Sequence, residues 1–121
     1  MDAQATPGRL PDAEYHAHAE SLLARVEATV DRWLQDDVID IDSSRTGGLL
    51  ELSLPDDSKI VINTQPPLQE IWLAARAGGQ HFRWSDGRWI DTRSGREFFE
   101  VLSASASAQS GKTLVFGEIS A

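Results

Sequence analysis

Carboxylates supply the densest chemistry in this sequence. Glu20, Glu27, Asp31, Asp36, Asp37, Asp40 and Asp42 follow one another with His16 just ahead of them. Carboxylate oxygens are hard ligands suited to Ca2+, Mg2+, Mn2+ and, less selectively, iron, and imidazole is acceptable to first-row metals. Solvated side chains must converge on an ion, so modest affinity and poor selectivity are expected. A second group is Asn63, Gln65 and Trp72. An exposed tryptophan beside amides has the composition of a protein-binding hot spot; the competing reading is a ring laid flat over a sheet. No phosphate loop, no Ser/His/Asp set and no His-x-x-x-His spacing occurs. Acids on an open convex surface keep ordinary pKa values and make poor general acids, so no catalytic residue is assigned.

The elements that must carry these residues follow from hydrophobic period. Tyr15, Ala19, Leu22, Val26, Val30 and Trp33 recur at helical spacing, with Leu23 and Leu34 widening the stripe, which predicts a helix from Asp12, as N-cap, to about Gln35. With Leu22 at zero on a helical wheel, the apolar arc spans about 20° to 80°, and Glu20, Glu27 and Asp31 fall at about 140° to 180°. His16 falls near 120° and Arg25 and Arg32 near 280° to 300°, about 100° to 160° away from the acids. Glu27 and Asp31 are like charges four apart, and Asp36 and Asp37 sit where the helix dipole is already negative. A conflict tolerated over this length points to a purpose beyond folding; the bland alternative is a solubilising surface. Residues 38–42 alternate as a first strand, with Ile39 and Ile41 inward and Asp40 and Asp42 outward. Further strands are expected at Leu49–Leu54, Lys59–Asn63, within Leu68–Ala75, and at His81–Trp84 and Arg88–Asp91. Gly47-Gly48, Pro55–Ser58 and Ser85-Asp86-Gly87 form turns, and Gly78-Gly79 breaks the chain. In this frame Asn63 and Gln65 share one parity, and Glu70 and Trp72 share a face opposite Ile71 and Leu73. His18 is expected in solvent and His81 on the sheet surface. A second helix is expected from about Gly95 to Gln109 with Phe98, Val101 and Leu102 inward, and Lys112–Phe116 is expected to pack extended between the helices.

The order helix, five or six strands, helix argues an α+β fold: a two-layer α–β sandwich with the N- and C-terminal helices packed on one face of an antiparallel sheet. The 121 residues suit one domain, 12–121, preceded by a flexible tail, 1–11. There is no cysteine, which excludes disulfides, thiolate metal sites and a Cys nucleophile. The net charge of −8 should repel nucleic acid and anionic membranes and attract cations and basic protein faces. With no apolar run of membrane length and no basic, apolar leader, the expected location is cytoplasmic.

The stretch from Gly47-Gly48-Leu49 through Asn63-Thr64-Gln65-Pro66-Pro67-Leu68-Gln69-Glu70-Ile71-Trp72-Leu73 to Gly78-Gly79-Gln80-His81-Phe82 resembles the frataxin family, as do Trp89 and Thr92–Gly95. The resemblance runs from about Tyr15 to Phe116, and the short length resembles the bacterial, CyaY-type branch. It implies weak iron binding on an acidic ridge, with other divalent metals admissible, and a role in iron–sulfur cluster assembly. It also implies contact with the cysteine desulfurase and the scaffold protein through the ridge (Glu27, Asp31, Asp37, Asp40) and the sheet face (Asn63, Gln65, Trp72), as an iron-sensitive regulator or adaptor that is monomeric without iron. The chain departs from the family pattern at Ala28 and Arg32, where acids are common, and at Glu70, where Gln is common. The alternatives are a ferroxidase or iron-storage protein, and a metal-independent acidic binding module.

Overall fold

The computed structural model describes residues 9–117. Helix α1 spans Asp12–Gln35 and helix α2 Phe98–Ser110. Between them run β1 (Asp42–Thr46), β2 (Leu49–Ser53), β3 (Lys59–Gln65), β4 (Glu70–Ala75), β5 (Gly78–Ser85) and β6 (Arg88–Asp91), with a 3-10 turn at Pro66–Leu68. The strands pair antiparallel in sequence order. Both helices cover one face, as expected for the two-layer sandwich. The core joins Tyr15, Leu22, Val26 and Val30 of α1 to alternate strand residues Leu50, Leu52, Ile60, Ile62, Ile71, Leu73 and Phe82, and to Phe98, Val101 and Leu102 of α2. Each such Leu, Ile or Val contributes about 1.5–3 kcal/mol by leaving water.

Several boundaries differ from expectation for local reasons. Asp12 is the first helical residue, not the N-cap; Pro11 holds that position without a side-chain cap. Residues 9–11 are not loose. The buried Gln69 amide accepts from Leu10 N–H at 2.9 Å and donates to Leu10 C=O at 2.8 Å, pinning the entry to α1. The rest of the expected tail, 1–8, lies outside the described residues. Leu34 is 53% exposed and does not widen the apolar stripe. The first strand begins at Asp42, because 36–41 complete the helix end: Val38 N–H reaches Trp33 C=O, and Asp37 takes a left-handed φ of 62°. The in–out alternation there nevertheless holds, with Ile41 buried and Asp40 and Asp42 exposed. Gly78-Gly79 open β5; the turn is Arg76-Ala77. Helix α2 starts at Phe98, later than expected, because Thr92–Gly95 wrap the Asp91 carboxylate and Glu97 caps the helix, accepting from Phe99 and Glu100 N–H at 2.9 and 3.1 Å. Leu114 and Phe116 are buried between the helices: Phe116 meets the Trp33 ring edge-on and donates its N–H to Ser103.

Candidate functional site

The acids of α1 and the following turn form no single chelate. Among the described residues no three His, Asp or Glu side chains stand close enough to hold one metal ion. Glu20 and Asp31 are exposed and Glu27 half-buried on α1; Asp36, Asp37 and Asp40 are exposed after it; Asp42 is exposed on β1. Asp42 pairs with Ser53, which places it on the sheet face away from the helices. His16 is exposed, its ring edge-on to Tyr15.

The electrostatics divide this ridge. Arg45 of β1 pairs in register with buried Leu50, so it faces the helix layer. Its two terminal nitrogens donate to both Glu20 oxygens at 2.9 and 2.7 Å, and one donates also to Glu27 at 3.0 Å. The hydrogen bond from Arg45 holds the Glu20 carboxyl below its ordinary pKa, although the side chain is solvent-exposed. The hydrogen bonds to Glu20 and then Glu27 raise that of Arg45. Exposed acids on this ridge are therefore not all ordinary. Among the described residues Asp31, Asp36, Asp37, Asp40 and Asp42 make no ion pair.

Hydrophobic period alone does not reveal that Arg45 completes this arrangement with α1. Its strand parity was the available signal, since an inward charge on a polar edge strand needs a partner and also protects the edge.

The second group converges on the outer face of the sheet. Two cross-strand rows lie side by side: Asn63–Trp72–His81 and Gln65–Glu70–Arg83. Trp72 does not stand out into solvent; it is half-buried and stacked on His81, ring centroids 4.3 Å apart. Beneath it Glu70 is only 7% exposed. Its carboxylate accepts from Trp72 Nε1 at 2.8 Å and Arg83 Nε at 3.1 Å, with His81 Nδ1 at 3.6 Å. The backbone of this row is tied to α1 through the buried Tyr15 hydroxyl, which donates to Glu70 C=O at 2.7 Å and accepts from Gln65 N–H. Burial raises the Tyr15 pKa, outweighing the Gln65 hydrogen bond. A shallow groove of about 230 Å³ runs past Leu49, Asn63, Trp72 and His81. His18, expected in solvent, is stacked on Trp84 at 3.8 Å. A larger groove, about 580 Å³, takes in His18, Arg25, Arg88 and Glu100 and none of the ridge acids.

These features can be set beside known proteins. Residues 8–112 match the family model described as a frataxin-like domain. The "Iron-sulfur cluster assembly protein CyaY" of Burkholderia mallei strain SAVP1 is 47% identical over 107 residues, covering 88% of this chain and 98% of that protein. The frataxin of Psychromonas ingrahamii, described within the CyaY protein family, superposes with a TM-score of 0.79 at 36% identity, covering 90% of this chain and all of that one. Yeast frataxin superposes with a TM-score of 0.69 at 27% identity, covering 88% and 91%.

Proposed function

Since the chain belongs to the frataxin family, we propose that it serves iron–sulfur cluster assembly as an iron-binding adaptor that docks on the cysteine desulfurase and its scaffold protein. The observation that carries this reading is the run of uncompensated carboxylates from Asp31 to Asp42. Exposed acids on one short segment, none of them ion-paired among the described residues, leave a local excess of negative charge that favours cations. Weakly held Fe2+ and the Lys or Arg side chains of a basic partner face are both such cations. The two therefore compete, and iron supply sets how much of the chain engages the desulfurase. The rows Asn63–Trp72–His81 and Gln65–Glu70–Arg83 offer a second, ordered surface: an aromatic held in place beside amides and one cation, suited to the scaffold protein. The chain acts by binding, in the cytoplasm, and assigns no residue to catalysis. Among the described residues no helix is long and apolar enough to cross a membrane.

The test is binding to the cognate desulfurase at low and high salt, comparing wild type with the triple variant Asp31→Asn, Asp37→Asn, Asp40→Asn. Asparagine tolerates the left-handed backbone at position 37. Salt-sensitive wild-type binding, lost by about tenfold or more in the folded triple variant and weakened by Fe2+, supports the reading. Equal binding by both proteins removes the ridge as the docking surface.

A further inference from the structure

In sequence the ridge is one run of acids; in the fold its first part already holds a cation. Glu20 and Glu27 stand two turns apart on α1, and the planar fork of Arg45 spans them with three hydrogen bonds of 2.7–3.0 Å. Charge-assisted, bidentate pairs of this kind are the strong ones, and a guanidinium stays charged at any working pH. Arg45 is delivered by the neighbouring strand, so it competes as a tethered ligand at high effective concentration. Its side chain is 21% exposed and that of Glu27 29%, so this contact is partly withdrawn from water and screened less than the one to Glu20, which is 65% exposed. A metal ion reaching Glu20 and Glu27 would have to expel it and leave a positive charge at its own border. Among the described residues Asp31, Asp36, Asp37, Asp40 and Asp42 make no ion pair; the Lys112 ammonium reaches this segment but donates to the Val38 carbonyl and pairs with none of them.

Resting on the reading of the ridge as a cation-binding surface, we propose that Arg45 is an internal counter-ion that closes the Glu20–Glu27 end of the ridge to divalent cations and confines them to the Asp31–Asp42 end. Arg45 thereby sets where on the ridge metal binds and how many ions it takes. An anchoring role for the polar strand β1 is compatible with this, but anchoring alone does not determine where a metal ion sits.

The experiment is a titration of the full chain with Mn2+, read by paramagnetic broadening of backbone amides, in wild type, Arg45→Met, and the pair Glu20→Gln with Glu27→Gln. Glu20 lies about 16 Å along the helix from Asp31, so at substoichiometric Mn2+ the position of the ion is read from the gradient of broadening along α1. Wild type is expected to broaden at residues 31–42 while the turn around Glu20 stays sharp. Arg45→Met keeps an aliphatic stem, and its broadening is expected to reach Glu20, with affinity there raised about fivefold or more. The Gln pair is expected to keep wild-type affinity within about twofold. Broadening around Glu20 in wild type at the same Mn2+ ratio as residues 31–42 overturns the proposal. So does a folded Arg45→Met protein whose Glu20 turn stays sharp while 31–42 broaden; that result leaves the ridge reading intact. If Arg45→Met does not fold, the Gln pair decides, and a loss of affinity above about fivefold sinks the idea. Absence of broadening anywhere on the ridge in wild type removes the cation-binding reading and this proposal with it.

Discussion

At the scale of single residues, the chemistry of the sheet face rests on Glu70. A carboxylate buried on a solvent-facing sheet surface is tolerated because an indole N–H and a guanidinium meet it. Removing it leaves the half-buried Trp72 indole N–H without its acceptor, while Arg83, 61% exposed, turns to water, so Glu70→Ala should lower stability in urea by about 1–2 kcal/mol. Glu70→Gln retains an acceptor for Trp72 Nε1 and should cost less; the same denaturation series compares them. The parity that puts Glu70 and Trp72 on one face was legible, because strand period is local. Its burial, and the Arg45 fork on Glu20 and Glu27, were not. Both depend on long side chains meeting across 13 to 25 residues of sequence, and hydrophobic period says nothing about such pairs.

Elements were legible in kind more than in extent. The Asp86-Gly87 turn was readable because both residues must take positive φ, here 50° and 82°. The start of α2 was not, since it is set by Glu97 capping and by the Asp91 loop rather than by apolar spacing. Strand β1 lies later than the apolar alternation of 38–42 predicts for a related reason: its five residues, Asp42 to Thr46, are all polar, so nothing in their pattern announces a strand. Their pairing is set by the adjoining turn. A Cβ at Gly48 would lie 2.1 Å from Thr64 Oγ1, and Thr64 N–H bonds to Gly48 C=O at 2.9 Å. Gly48→Ala should therefore destabilise the protein by about 1–3 kcal/mol, with the loss of amide protection in hydrogen exchange concentrated in β1 and β2. Gly47→Ala carries a different cost, a left-handed φ of 59° with open space around it.

For the whole molecule, the excess of acid makes stability a question of pH. Asp56, in the β2–β3 turn, shows the sign. Hydrogen bonds from Ser58, and then from Arg76 in the β4–β5 turn, hold its pKa down to about 2 from an ordinary 3.8. A carboxyl depressed by folding stabilises the native state fully above its unfolded pKa and loses that contribution as pH falls through its folded one. Asp56→Asn should therefore melt below wild type at neutral pH, and the two melting curves should converge between about pH 4 and about pH 2. Asp91 acts in the same direction: burial pushes its pKa up, but the Arg93 and Ser94 hydrogen bonds prevail and lower it. The class of fold, by contrast, needed no such detail. A helix, a run of strands with short turns and a second helix leave few ways to bury one face of each, and the observed sandwich is among them.

The sequential strand order also bears on how the chain emerges from a ribosome. The two helices share one layer yet come from opposite ends of the sequence, with the whole sheet between them. Synthesis therefore delivers a nearly complete meander covered by α1 alone. The inner face that Phe98, Val101, Leu102 and Phe116 will cover stays open until α2 and the segment through Phe116 have been made. The interval between completion of the sheet and emergence of α2 is thus when the growing chain is most exposed to aggregation, and it is α2 and the segment through Phe116 that end it.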